Sequence, residues 1–541
     1  MGVPARAGFS RLPKCPGWVA TRACWISILA AWCWTASARG AGLTIITHGA
    51  QFDHSHPGWV DDMGAAIAAR AGSAAIYSVN LAPSGAGGAL AGVVTYESGA
   101  APTGNSTNAE VVLKVFWNLV AGFADSVDAG QVAAVVTPLL LQTNLASAAG
   151  GPVLARPLAE LPMHLIGHSR GGSVMSEIAR QLATHGVWVD QLTTLDPHPV
   201  TTADCIAGVL CPGAFDPAVN VYDNVLFADN YYEIDDGDII PISGEPIAGS
   251  AQEILTGLFG ADGLPDVNYA DHIEVHDWYY GTIDQAATSA SGDPIPRAAW
   301  YPVAAPFTYA RGFQFSRLAG GQTLREHPED QIQFTGPGWK WTPGATRSTN
   351  YVIQGTAWPN VMLDTTNTTL TATNGQILSL FAYYQSANGA SAVTLAFGSD
   401  ADQNPYDNSA TNIFAAVTNS APGPAVWSAR LEWQVSTADD GKYLYARITD
   451  QNGLTRYSYL DQPVQVISSA APRFVSIEDA GGGAIRLTLT VVSGGSCTIQ
   501  ASSDLIGWTS VTNFISPSAT VQFTDSAELS STRRFYRALA P

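Results

Sequence analysis

Ser169 stands in Gly167-His168-Ser169-Arg170-Gly171-Gly172, a GxSxG pattern. An apolar run, Met163-His164-Leu165-Ile166, precedes it, and Val174, Ile178 and Leu182 follow at helical spacing. A serine on a tight strand-to-helix turn is held in a strained conformation that exposes its hydroxyl, and flanking glycines leave room for the turn. The start of the helix then favours an oxyanion forming beside it. This is nucleophile chemistry, and it needs a base and an acid. Asp196 and Asp229 each close an apolar run downstream, and His272 and His276 follow both of them. The plainer readings are a turn cap for either aspartate and a surface ring for either histidine.

The serine turn and the order Ser, Asp, His resemble the α/β-hydrolase superfamily over about residues 43–284. Leu195-Asp196-Pro197 looks like the LDP motif of the pancreatic-lipase group, and Leu192-Thr193-Thr194-Leu195-Asp196-Pro197-His198-Pro199 is similar to a stretch in bacterial relatives. By that resemblance Asp196 is the acid. Asp229, at the end of the following strand, is the competitor, because the wider fold more often places its acid there. His272 precedes Trp278-Tyr279 at the spacing that the group's histidine keeps from its Tyr pair, so the resemblance makes it the base, with His276 in reserve. Thr47-His48-Gly49-Ala50-Gln51 resembles the family's HG element. It implies oxyanion donors at Gly49 or Ala50 and at the N–H of Arg170, and leaves His48 a structural or pocket-lining role. No cofactor and no metal is expected for this chemistry, and the expected substrate is an ester or lipid.

The elements that must hold these residues alternate short apolar runs with helical periodicity. Strands are expected at 43–47, 75–79, 111–116, 163–167, 192–196 and 225–228, and helices at 59–70, 131–141 and 173–183. That alternation is the signature of a mostly parallel sheet with crossover helices. Residues 244–264, with a helix at 251–259, form either a lid over the site or a plain surface insertion. After about Arg297 the pattern turns all-β. Strands are expected at 378–384, 391–397, 427–434, 442–449 and 454–459, then a second set at 485–491, 497–501, 519–524 and 534–538. The last set resembles short β modules at the ends of exported bacterial proteins, and its aromatic residues serve either as core or as a carbohydrate-binding surface. Asp400-Ala401-Asp402-Gln403-Asn404 opens like some calcium loops but lacks their Gly and closing Glu, so an Asp/Asn-rich turn is the better reading.

The expected layout is a signal peptide at 1–38, an α/β-hydrolase domain at 39–297, a linker or irregular segment at 298–355, a β-sandwich at 356–470 and a small β domain at 471–541. The leader carries Arg6, Arg11, Lys14 and Arg22, an apolar run at 23–34 and Ala36-Ser37-Ala38 before the cut. Its apolar run is too short to span a bilayer, and no later segment does so either. The product is therefore expected outside the cell or in the periplasm, with no transmembrane segment. With 25 basic against 45 acidic side chains and a formal charge of −20, the chain is not expected to bind nucleic acid. Cys205 and Cys211 flank a five-residue loop that an oxidising compartment would close with a disulfide, leaving Cys497 odd. Two function classes follow. The first is a secreted serine hydrolase of carboxylic esters, and the second is an adhesion or carbohydrate-binding protein with an inactive hydrolase-like domain.

Overall fold

The computed structural model describes residues 42–540 apart from 73, 85–88, 101–109, 123, 206–210, 235–242, 256–257, 259–269, 291, 302–310, 322–346, 368, 387–391, 408–411, 420–425, 468–471 and 527–532. The expected signal peptide lies outside the described residues.

Leu43–Thr47 (β1), Val111–Phe116 (β4) and Met163–His168 (β5) are buried at every position, the mark of strands covered on both faces. With Ala75–Ser84 (β2), Ala89–Ser98 (β3), Val189–Leu195 (β6), Val225–Tyr232 (β7) and Ala251–Ile254 (β8) they form one sheet in the order β3-β2-β4-β1-β5-β6-β7-β8. Only β3, at the edge, runs antiparallel to its neighbour. The period of two divides the side chains. Leu43, Ile45, Val111, Leu113 and Leu165 face one core with the helices Ala129–Leu141 (α2) and Arg170–Thr184 (α3). Ile46, Val112 and Ile166 face the other, with Gly58–Arg70 (α1) and Ala270–Ile283 (α4).

Two expectations change here. Residues 251–254 form the edge strand β8 rather than the start of a helix, because the ladder beside Asp229–Tyr232 offers their backbone a partner. The rest of the expected helix at 251–259 lies mostly outside the described residues. Residues 270–283, for which no helix is expected from sequence, form α4.

A short hairpin, β9 (Ser289–Ala290) with β10 (Asp293–Pro294), and the single turn Arg297–Trp300 follow. Gly312–Ala319, within the expected linker, folds into two 3₁₀ turns that join the first domain. Phe313 enters the α1/α4 core, and Arg317 pairs with Glu110 at 2.5 Å, both buried.

Beyond this the chain is antiparallel β. The sheet of Pro359–Thr365 (β11), Ile377–Ser386 (β13) and Trp427–Gln434 (β16) packs on a second sheet through Val361, Leu380, Leu395, Phe397 and Leu444. The second sheet comprises Val393–Asp400 (β14), Asn412–Asn419 (β15), Tyr443–Asp450 (β17) and Thr455–Pro463 (β18). Thr371–Thr373 (β12) pairs with Gln465–Ile467 (β19). A last pair of three-stranded sheets closes over Leu487, Leu489 and Ile499. One contains Arg473–Gly481 (β20), Ala484–Thr490 (β21) and Thr520–Asp525 (β24); the other contains Ser496–Ser502 (β22), Thr509–Ile515 (β23) and Phe535–Leu539 (β25).

The first sandwich is bonded to the first domain through backbone groups that lead into β6. Asn360 accepts from Trp188 N–H at 2.9 Å and donates to Gly186 O at 2.5 Å. Trp358 N–H donates to His185 O, and Arg456 donates to Trp188 O at 2.8 Å. No helix among the described residues is long and apolar enough to cross a membrane.

Candidate active site

The carboxyl ends of β5 and β6 lie side by side in the sheet, and each opens into a residue with positive φ. Ser169 has φ 56° and ψ −128°, and Asp196 has φ 44°. Non-glycine residues adopt this region at a cost of roughly 1–3 kcal/mol, and such positions cluster at functional sites. The strain at Ser169 comes from the sharp change of direction between β5 and α3. A side chain at Gly167 would meet Gly171 O at 2.1 Å, so the turn closes only around glycine. Ser169 N–H bonds Leu195 O at 2.9 Å, and Asp196 N–H bonds Tyr231 O at 2.7 Å, which fixes both residues to the neighbouring strand ends.

His272 reaches this pair from the first turn of α4. Its Nδ1 lies 2.5 Å from Asp196 Oδ2, and Asp196 Oδ1 accepts the N–H of Glu233 at 2.8 Å. Asp196 is fully buried, and Ser169 and His272 are nearly so. The imidazole proton is thus held on Nδ1 and Nε2 is left as the basic nitrogen, the tautomer an acyl-transfer base requires.

The two reserves are occupied elsewhere. Asp229 accepts from Thr193 Oγ1 at 2.7 Å, Gln191 Nε2 at 3.1 Å and Tyr231 OH at 2.9 Å, a network within the sheet. His276 bonds its neighbour Asp277 at 2.8 Å and stacks on Trp59 with ring centroids 4.3 Å apart.

The segment after β1 passes directly over the serine. A side chain at Gly49 would come within 2.7 Å of Ser169 Oγ, which brings the Gly49–Ala50 backbone alongside that hydroxyl. His48 stabilises that loop. Trp117 N–H donates to His48 Nε2 at 3.1 Å, so the ring proton is on Nδ1, where it donates to Gly49 O at 2.8 Å. Complete burial lowers its pKa to about 3, which keeps the ring neutral and structural.

Arg170 follows Ser169, and its guanidinium is buried against Asp216 in a two-pronged pair, 2.7 Å from Nε and 2.9 Å from Nη2. Asp216 also accepts the N–H groups of Ala129 and Val200 at 2.9 and 3.0 Å. Nothing local in the sequence signals this clamp, because its partners are 46 residues apart. The contact of His168 with α4 has no local signal either, its partner being 104 residues away. The His168 ring packs on His272 at 4.6 Å, and its Nε2–H donates to His272 O at 2.8 Å.

Away from this site, Cys205 and Cys211 are disulfide-bonded as expected, and Cys497 is free and buried. The carboxylates of Asp400, Asp402 and Asp407 lie within 4.8 Å of one another. Asp402 accepts from Asn404 N–H and Asn404 from Tyr406 N–H, the successive Asx turns expected of an Asp/Asn-rich loop. In the last β module Trp508 lies against the Arg537 guanidinium at 4.4 Å.

No protein-family model matches the chain, and no curated protein does. Among solved structures it is similar to the transglutaminase of red sea bream, at 9% identity over 34% of this chain and 27% of that one, with a TM-score of 0.17. It is also similar to a tetra-tandem repeat from the extending region of a large adhesion protein, at 14% identity over 35% and 46%, with a TM-score of 0.16. A third likeness is to an ICAM-5 D1–D4 ectodomain fragment, at 10% identity over 36% and 58%, with a TM-score of 0.20. Each match spans less than two thirds of the neighbour, and likeness at this level bears on neither the fold nor the chemistry of this chain.

Proposed function

We propose that the chain is an exported serine hydrolase of carboxylic esters, of the lipase and esterase kind, whose first domain is an α/β-hydrolase fold. The observation that carries this reading is the bond of His272 to Asp196, with Asp196 and Ser169 on strained turns at the ends of adjacent strands.

In this mechanism Ser169 Oγ attacks the ester carbonyl as its proton passes to His272 Nε2. Asp196 holds the Nδ1–H and offsets the imidazolium charge that results. The N–H groups of Arg170 and of the Gly49–Ala50 loop bond the carbonyl oxygen as it becomes an oxyanion. Collapse expels the alcohol, which takes the proton from His272, and leaves Ser169 acylated. Water, deprotonated by the same histidine, then releases the acid and restores the serine.

Two measurements test the reading. A fluorophosphonate probe labels the wild type and fails to label Ser169→Ala, and a panel of esters of increasing acyl length, with and without an emulsion, gives turnover and chain preference. Labelling that persists in Ser169→Ala removes the serine from this role. A folded wild type that neither labels nor cleaves any ester removes the enzyme reading and favours a binding protein.

A further inference from the structure

The base and the nucleophile are joined by more than the chemistry they share. His168, the residue before Ser169, is buried and points into the first turn of α4. Its ring lies between those of His272 and His276, with centroids 4.6 and 4.9 Å away, and Trp59 meets it edge-on at 5.7 Å. Its Nε2 faces the main-chain oxygen of His272 at 2.8 Å, an atom that can only accept, so this nitrogen carries the proton. Burial and the neighbouring imidazoles lower its pKa well below the usual histidine value, so the ring stays neutral and this tautomer persists.

We propose that His168 is a positioning residue that sets the distance between nucleophile and base, tethering the backbone of His272 to the turn that carries Ser169. The path from Ser169 to His272 through it is one peptide bond and one hydrogen bond. Asp196 controls a different degree of freedom. It bonds the His272 ring and so orients the imidazole, whereas His168 bonds the His272 backbone and so holds the helix turn from which the ring extends. Orientation and position are both needed, because a displacement of about 1 Å at a reacting centre costs about 100-fold in rate.

The inference rests on Ser169 and His272 acting as nucleophile and base, and its test separates the two ideas. His168→Phe keeps a ring of similar shape and removes the donor, and His168→Gln restores an N–H donor. In the full chain, with rates referred to the folded fraction, His168→Phe lowers kcat and the fluorophosphonate labelling rate by about 10- to 100-fold with KM within about twofold, and His168→Gln recovers most of the loss. An unchanged rate per folded molecule in His168→Phe, or no recovery in His168→Gln, overturns the tether. A role in stability alone would move the unfolding midpoint and leave both rates in place. The position of the base is also read without turnover, from the downfield NMR resonance of the His272 Nδ1–H, assigned by its loss in Asp196→Asn. If the wild type shows no hydrolysis, that resonance still decides. Its shift or loss in His168→Phe and return in His168→Gln supports the tether, and an unmoved resonance in His168→Phe overturns it.

Discussion

Asp196 and His272, 76 residues apart in sequence, meet at 2.5 Å, while Asp229, one strand further on, is bound by Thr193, Gln191 and Tyr231. The two aspartates therefore respond differently to the same change. Asp196→Asn leaves the fold in place and lowers turnover by about 10⁴-fold, because an amide favours the wrong imidazole tautomer and cannot offset its charge. Asp229→Asn lowers stability by about 1–3 kcal/mol, since its buried donors lose an acceptor, and leaves the rate per folded molecule unchanged. Ester kinetics beside thermal unfolding decide the matter, and the opposite pattern would move the acid to the next strand.

The clamp on Arg170 is a buried charge pair with satisfied geometry. Breaking one side, as in Asp216→Leu or Arg170→Met, leaves a buried charge without its counter-charge and costs about 3–5 kcal/mol. Replacing both partners with apolar residues, Asp216→Leu with Arg170→Met, costs less than either single change. A urea unfolding series on the three variants tests this, and additive losses would show that the pair is not coupled.

Asn360 bonds Trp188 N–H and Gly186 O from the sandwich side, and it is fully buried. Asn360→Ala leaves both backbone groups without that partner, for a loss of about 2–4 kcal/mol. Differential scanning calorimetry is expected to show one shared transition in the wild type and a separated sandwich transition in the variant.

Burial, with the charges of Asp400 and Asp407, raises the Asp402 pKa from 3.8 to about 7. The folded protein then holds this proton more tightly than the unfolded chain, so this group's contribution to stability falls as pH rises from about 4 to 7 and is level above that. Asp402→Asn removes the dependence. The wild-type Tm, measured from pH 4 to 8, is expected to fall relative to that of the variant; parallel curves would rule out a raised pKa at this position.

The serine turn was legible because its signals are local: an apolar strand, two glycines and an apolar stripe on the following helix. Asp196 was legible through its LDP context. The helix that carries His272 was not, because Asp271, His272, Glu274, His276 and Asp277 are all buried, so no polar face alternates with an apolar one. Four of the unforeseen strands, β3, β15, β20 and β23, lie at sheet edges and are largely exposed, which dilutes the period-two pattern. Contacts such as His168 to His272 O span 104 residues and are set only when the sheet brings β5 beside α4.

The bonds from Asn360, Trp358 and Arg456 to the segment leading into β6 also impose an order on biosynthesis. Ser169 and Asp196 emerge from the ribosome long before their supports at 358–360 and 456, so a nascent chain that already holds the whole first domain lacks the partners that finish it. Under the proposed export in an extended form, the bonds at 358–360 and 456 form only once the sandwich has followed the first domain across. Truncations upstream of Arg456 would then yield protein that carries every proposed site residue and still fails to mature.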